Sequence, residues 1–200
     1  KIFNCFLRGL ILLISLTMLS IHCFAQRHNV IHYTEADGLG NSLTYGIEQD
    51  TSGKMWFATR AGISSYDGST WESYNMHDGL ARSSYAFIKV DEKGTIWALP
   101  NVGQLYLAIF NGNTWEHILP ADPQKSYSQF KSLSVHYKNE EPIVCVGTMD
   151  QGVLVNRHKE WTHYTTSDGL LSNKITAACF INDSIYVATN NGIIIISDSS

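Results

Sequence analysis

An all-β chain of repeated four-stranded antiparallel units is what the sequence predicts, and three observations predict it. A ten-residue loop is written three times, as YTEADGLGNS from Tyr33, YNMHDGLARS from Tyr74 and YTTSDGLLSN from Tyr164. A tryptophan keeps its own spacing, with Trp71, Trp115 and Trp161 lying 44 and 46 residues apart. Between these markers stand short runs of alternating or β-branched residues, separated by Gly-containing turns. Self-similarity at a period of roughly 40 to 45 residues, with four short strands per period, is the signature of propeller blades.

Each element follows from its residues. The inner run ends in an acidic turn, Asp50-Thr-Ser-Gly53 in the first unit and Asp91-Glu-Lys-Gly94 in the second. There an Asp side chain bonds its own backbone and a Gly accepts positive φ. A second run centres on an aromatic or apolar residue: MWFAT, TIWAL, IVCVGT and IYVAT. Gly62, Gly103, Gly152 and Gly192 open the third run. Asp67-Gly68 and Asn111-Gly112 are two-residue hairpin signals leading to the outer runs TWESY and TWEHI. The Asp-Gly-Leu loops are 41 and then 90 residues apart, so a third unit beginning near Ile118 has lost its loop.

Blades are therefore expected near 34–74, 75–118, 119–164 and 165–200, about four in this chain. The run at 29–33 aligns with TWESY and is expected to close the last blade as a fourth strand, which would leave no sheet edge open. The same bookkeeping closes for any larger number of blades.

Residues 1–25 stand apart. Lys1 and Arg8 precede an apolar run from Leu10 to Ile21 that ends in Cys-Phe-Ala25, the three parts of a secretory signal peptide. Its removal takes away two positive charges and no acid, moving the formal net charge from −4 to −6. A mildly acidic exported chain, periplasmic or extracellular, argues against nucleic acid as a partner. Cys145 and Cys179 remain; both sit in apolar runs, where a buried free thiol is the commoner outcome.

The stretch from Asp37 to Tyr74 resembles the two-component regulator propeller repeat: the Asp-Gly-Leu opening, the Asp-x-x-Gly-x-x-Trp centre and the Gly that opens the next strand. The second unit keeps Asp78, Gly79, Asp91, Gly94 and Trp97; the fourth keeps Asp168, Gly169 and Gly192 but has Tyr186 in place of Trp56; the third departs at nearly every marker. The resemblance implies the extracytoplasmic sensor portion of a bacterial signalling protein, often a hybrid histidine kinase. It also implies a seven-bladed propeller, of which these blades would be part, and an oligosaccharide ligand. Membrane attachment would come only through segments downstream of this chain, and homodimerisation of a full-length parent is left open.

Eight histidines form no metal-ligand pattern, and His117 and His163 occupy equivalent outer-strand positions, so they read as repeat positions. No metal or cofactor is expected, and no catalytic residues. Asp37, Gly38, Trp56, Asp78, Gly79, Trp97, Asp168 and Gly169 recur and are assigned to architecture. Recognition is expected where repeats differ. In a propeller the second-to-third strand loops share one face, and here they carry Arg60, Asn101, Asp150, Asn190 and Asn191, amides and single charges suited to sugar hydroxyls. Tyr45 and Tyr85, near the starts of inner strands, are the expected stacking rings. A ligand-sensing module is favoured over an exported polysaccharide-acting enzyme or a protein-interaction scaffold.

Overall fold

The structure, a computed structural model, describes residues 30–120 and 122–197; the expected signal peptide lies outside them. Among the described residues no helix is long and apolar enough to cross a membrane. From Tyr33 onward the chain forms one unit of consecutive antiparallel sheets.

The first sheet runs β1 (Thr44–Gln49), β2 (Met55–Thr59), β3 (Gly62–Tyr66) and β4 (Trp71–Tyr74), in that order from inside to outside. The second has β5 (Tyr85–Val90) and β6 (Ile96–Pro100), after which the third run splits. β7 (Gly103–Gln104) leaves the sheet, and β8 (Leu107–Phe110) and β9 (Trp115–Ile118) complete it. The divergent third unit begins with β10 (Ser126–Tyr127), which pairs back onto β7. Its own sheet is β11 (Phe130–Lys138), β12 (Glu141–Thr148), β13 (Val153–Arg157) and β14 (Glu160–Tyr164). The last sheet is β15 (Ile175–Ile181), β16 (Ser184–Thr189) and β17 (Gly192–Ser197).

The repeated motifs have local causes. Asp37, Asp78 and Asp168 each close a short 3-10 turn as the last partner of a capping box: their carboxylates accept from the amides of Thr34 at 2.8 Å, Asn75 at 2.9 Å and Thr165 at 2.9 Å. Gly38, Gly79 and Gly169 then take φ of +114°, +101° and +101°, where a side chain is strained. In the Asp-x-x-Gly-x-x-Trp centre one carboxylate does two jobs. Asp50 accepts from the Ser52 and Lys54 amides on one oxygen and from the Trp56 indole on the other, at 2.8 Å. Asp91 repeats this with Lys93, Thr95 and Trp97, the indole at 2.6 Å. The tight turn and the buried ring are thus tied to one side chain.

Alternation sorts each sheet into two faces, and the faces of neighbouring sheets fill a wedge. Trp56, Ala58 and Ile63 meet Ile88, Ala98 and Trp115; Trp97, Leu99 and Leu107 meet Leu133, Val146 and Leu154; Cys145, Val153 and Val155 meet Ala178, Ile185 and Val187. Inner strands pack in chain order, β1 on β5, β5 on β11 and β11 on β15.

Two expectations about the ends differ from the structure. Residues 30–33 form no strand, and the last sheet has three strands among the described residues. The ring of Tyr33 packs on the first sheet, 5.2 Å from Tyr66 and 5.4 Å from Trp71. Cys179, expected to be buried like Cys145, is exposed. It lies on the face of the last sheet turned away from the third wedge, where Ile193 and Ile195 are 70% and 54% exposed. Both thiols are free.

Candidate functional site at the loop face

The loops that join second to third strands are anchored beside the inner strands. The first amide of each donates to a carbonyl just ahead of its own inner strand: Arg60 to Leu43 (3.0 Å), Asn101 to Ser84 (3.4 Å), Met149 to Gln129 (2.9 Å) and Asn190 to Lys174 (3.3 Å). In three sheets a buried threonine closes the loop. Thr59, Thr148 and Thr189 donate to the carbonyls of Gly62, Gly152 and Gly192 and accept from the amides of Ala61, Gln151 and Asn191. The sequence marks Thr189 as a retained repeat position but assigns this threonine no role, although Thr three or four residues before the strand-opening Gly recurs in TRAG, TMDQG and TNNG.

The second sheet is the exception. Pro100 occupies the threonine position, so no hydroxyl ties the loop, and a depression of about 240 Å³ opens between Asn101, Val102, Arg82, Ser83 and Ser84. Arg82 donates to the Gln104 side chain and lies over Tyr106, 4.6 Å from the ring centre. Its Nε is buried with no hydrogen-bond partner. Arg82 was not among the expected residues. The signal for it was its place in the Asp-Gly-Leu loop, where the other copies carry Asn41 and Ser172.

The expected residues fall into three groups. Asn101 lines the depression. Arg60, Asp150, Asn190 and Asn191 are exposed in the corresponding loops; Asp150 accepts from Ser128 Oγ at 2.9 Å, and the Asn191 amide is spent on the Leu171 carbonyl at 3.3 Å. The two tyrosines separate. Tyr45 is 43% exposed, whereas Tyr85 is fully buried in the first wedge and offers no ring face to a ligand. The reason is register. Thr44, not Tyr45, corresponds to Tyr85, because each inner strand has a bulge one residue further on, at Tyr45 and Ala86. A shift of one residue turns a side chain to the opposite face. Burial pushes the Tyr85 hydroxyl up to about 12, so it stays protonated.

The outer-strand histidines serve the loops. His117 accepts the Ala81 amide at 3.1 Å, and burial lowers its pKa, which keeps the imidazole neutral and able to accept. His163 meets the Gln151 carbonyl. Among the described residues no group of three or more His, Cys, Asp or Glu is placed to hold a metal ion.

No protein-family model matches the chain. It is 37% identical over 68 residues to a histidine kinase of Formosa agariphila, a match that covers 33% of this chain and 5% of that protein. The extracellular domain of a hybrid two-component system from B. thetaiotaomicron superposes with a TM-score of 0.63 at 18% identity, over 85% of this chain and 24% of that one. A streptogramin B lyase superposes with a TM-score of 0.58 at 15% identity, over 81% and 57%. The chain therefore spans a small part of the histidine kinase and about a quarter of the two-component domain. The stacked four-stranded sheets give the chain a propeller-like fold similar to that of the extracellular two-component domain, and the chain, along which the Asp-Gly-Leu turns and Asp-bound tryptophans recur, is similar over one stretch to a histidine kinase.

Proposed function

We propose that the chain is the ligand-sensing propeller of an extracytoplasmic receptor, and that its loop face binds an oligosaccharide without transforming it. The observation that carries this reading is the depression at Asn101. Its polar residues supply an amide, two hydroxyls and a guanidinium, a set that hydrogen-bonds neutral or weakly anionic sugars. Arg60, Asp150 and Asn190 extend the same face with blade-specific side chains. The likeness to a histidine kinase and to an extracellular two-component domain supports a sensing role, with output supplied by other parts of a parent receptor.

The test is calorimetric titration against a panel of neutral and uronic oligosaccharides. Binding of a panel member is expected, weakened about tenfold or more in Asn101→Ala through the lost hydrogen bond. Neutral members should bind with little dependence on salt. Turnover of any member would favour an enzyme. Silence across the panel, with a protein partner captured through this face, would favour an interaction scaffold.

A further inference from the structure

The wedges between sheets are built from equivalent positions, and one of them is not filled. In the first wedge Trp56 is packed by Tyr74, stacked at 5.9 Å and 16°, and by Phe110 at 5.5 Å, with Tyr74 and Phe110 themselves 5.4 Å apart. Strand register gives the counterparts in the second wedge: Trp97 for Trp56, Ile118 for Tyr74 and Asn156 for Phe110. Two aromatic rings are thus replaced by an isoleucine and an asparagine. At that place a cavity of about 480 Å³ lies between the second and third sheets, with Trp97, Ile118 and Asn156 in its lining.

Asn156 makes this more than a packing defect. It is 2% exposed, and its Nδ2 has no hydrogen-bond partner. A buried, unsatisfied amide donor in a cavity wall is costly unless something occupies the cavity and accepts from it. The remaining wall mixes aliphatic surface from Ile109, Ile118 and Pro142 with the polar side chains of Glu141, His158 and Lys159, and Glu116 adds a carboxylate that receives Asn111 Nδ2 at 3.0 Å on Oε1. In the first wedge the residue equivalent to Glu116 is Glu72, and it accepts the Tyr74 hydroxyl at 3.1 Å.

We propose that this inter-blade cavity is a binding site for a small neutral phenol carrying a carbonyl acceptor. Its ring takes the place that Tyr74 fills next door, its hydroxyl donates to Glu116, and its carbonyl accepts from Asn156. A polyol fits less well, since it has no aromatic face to lay on Trp97 as Tyr74 lies on Trp56 next door. Two carboxylates, Glu116 and Glu141, against the one ammonium of Lys159 favour a neutral ligand over an anionic one. The site is separate from the loop-face depression and does not depend on it.

The probe is 4-hydroxybenzamide, compared with benzamide and glucose, using the whole chain, with ligand-observed NMR and thermal melting as readouts. The wild-type chain should bind 4-hydroxybenzamide, with a rise in melting temperature, about tenfold more tightly than benzamide, the difference a hydrogen bond to a charged acceptor makes. The double variant Ile118→Tyr, Asn156→Phe restores the first wedge's residues; it should melt higher and lose the ligand. Binding that survives in the double variant, absence of binding to the wild type, or preference for glucose would each overturn the proposal. Should the double variant not fold, Glu116→Gln reads the same contact: the preference for the phenol over benzamide should fall severalfold, and an unchanged preference would overturn the proposal.

Discussion

Replacing Trp97 by alanine tests the link between the turn motif and the wedge. The ring is 2% exposed, packs with Leu99, Leu107, Leu133 and Val146, and donates to Asp91 at 2.6 Å. A tryptophan side chain buries about 200 Å², which at about 25 cal/mol per Å² is worth about 5 kcal/mol. The retained Cβ and partial collapse of the site reduce this, so the expected loss is about 3–5 kcal/mol. The lost indole bond adds little beyond that, because Asp91 keeps the Lys93 and Thr95 amides and the Tyr137 hydroxyl at 2.7 Å. Urea unfolding followed by far-UV circular dichroism measures the change, with Lys93→Ala as the comparison. Lys93 pairs with Glu140 at 2.7 Å, but the two side chains are 41% and 89% exposed. An exposed pair of this kind is worth at most about 1 kcal/mol. A loss below about 1 kcal/mol for Trp97→Ala, or equal losses for the two variants, would refute the assignment of this ring to the space between sheets.

Glycine substitutions separate crowding from turn strain. A Cβ on Gly62 would stand 2.0 Å from the Tyr74 carbonyl oxygen at φ +114°, so Gly62→Ala should cost about 3 kcal/mol or more, whereas Gly68, at φ +97° with nothing within 4 Å, should cost about 1 kcal/mol. Comparable unfolding midpoints for the two would contradict this packing. In acid, Asp67 is held at about 2, below its ordinary 3.8, by the amides of Thr70 and Ser69 and the Ser69 hydroxyl. A depressed carboxyl contributes above its unfolded value and loses that contribution as pH falls through its folded value. The melting temperature should therefore fall more steeply between pH 3.8 and about 2 in the wild type than in Asp67→Ala; parallel curves would refute the turn's role. Cys179 is exposed, while burial pushes the Cys145 thiol up to about 12. Of these two, a thiol reagent at pH 8 should label Cys179 in the native chain and Cys145 only after unfolding, and mass mapping of the label to Cys145 in native protein would reverse that assignment.

The sequence by itself determined what short-range chemistry decides. Asp-x-x-Gly-x-x-Trp specifies both a turn and the indole that its carboxylate captures, since all the partners lie within seven residues, as Asp50 to Trp56 and Asp91 to Trp97 illustrate. The Asp-Gly-Leu loops are equally local, with a capping box and a left-handed glycine contained in five residues. Repetition of such modules made the strand order and the common face of the variable loops legible. Tertiary structure decided which face each side chain takes and what stands opposite it. Tyr45 and Tyr85 look alike in sequence, but a bulge in each inner strand puts them one register apart, and one is buried while the other is exposed. Cys145 and Cys179 sit in similar apolar runs, yet only Cys145 has a neighbouring sheet over it. The cavity beside Asn156 arises because Ile118 and Asn156, 38 positions apart in the chain, stand at the positions that Tyr74 and Phe110 fill in the first wedge. Pairings of that kind depend on how adjacent sheets are superposed, and no local pattern encodes the distance between them.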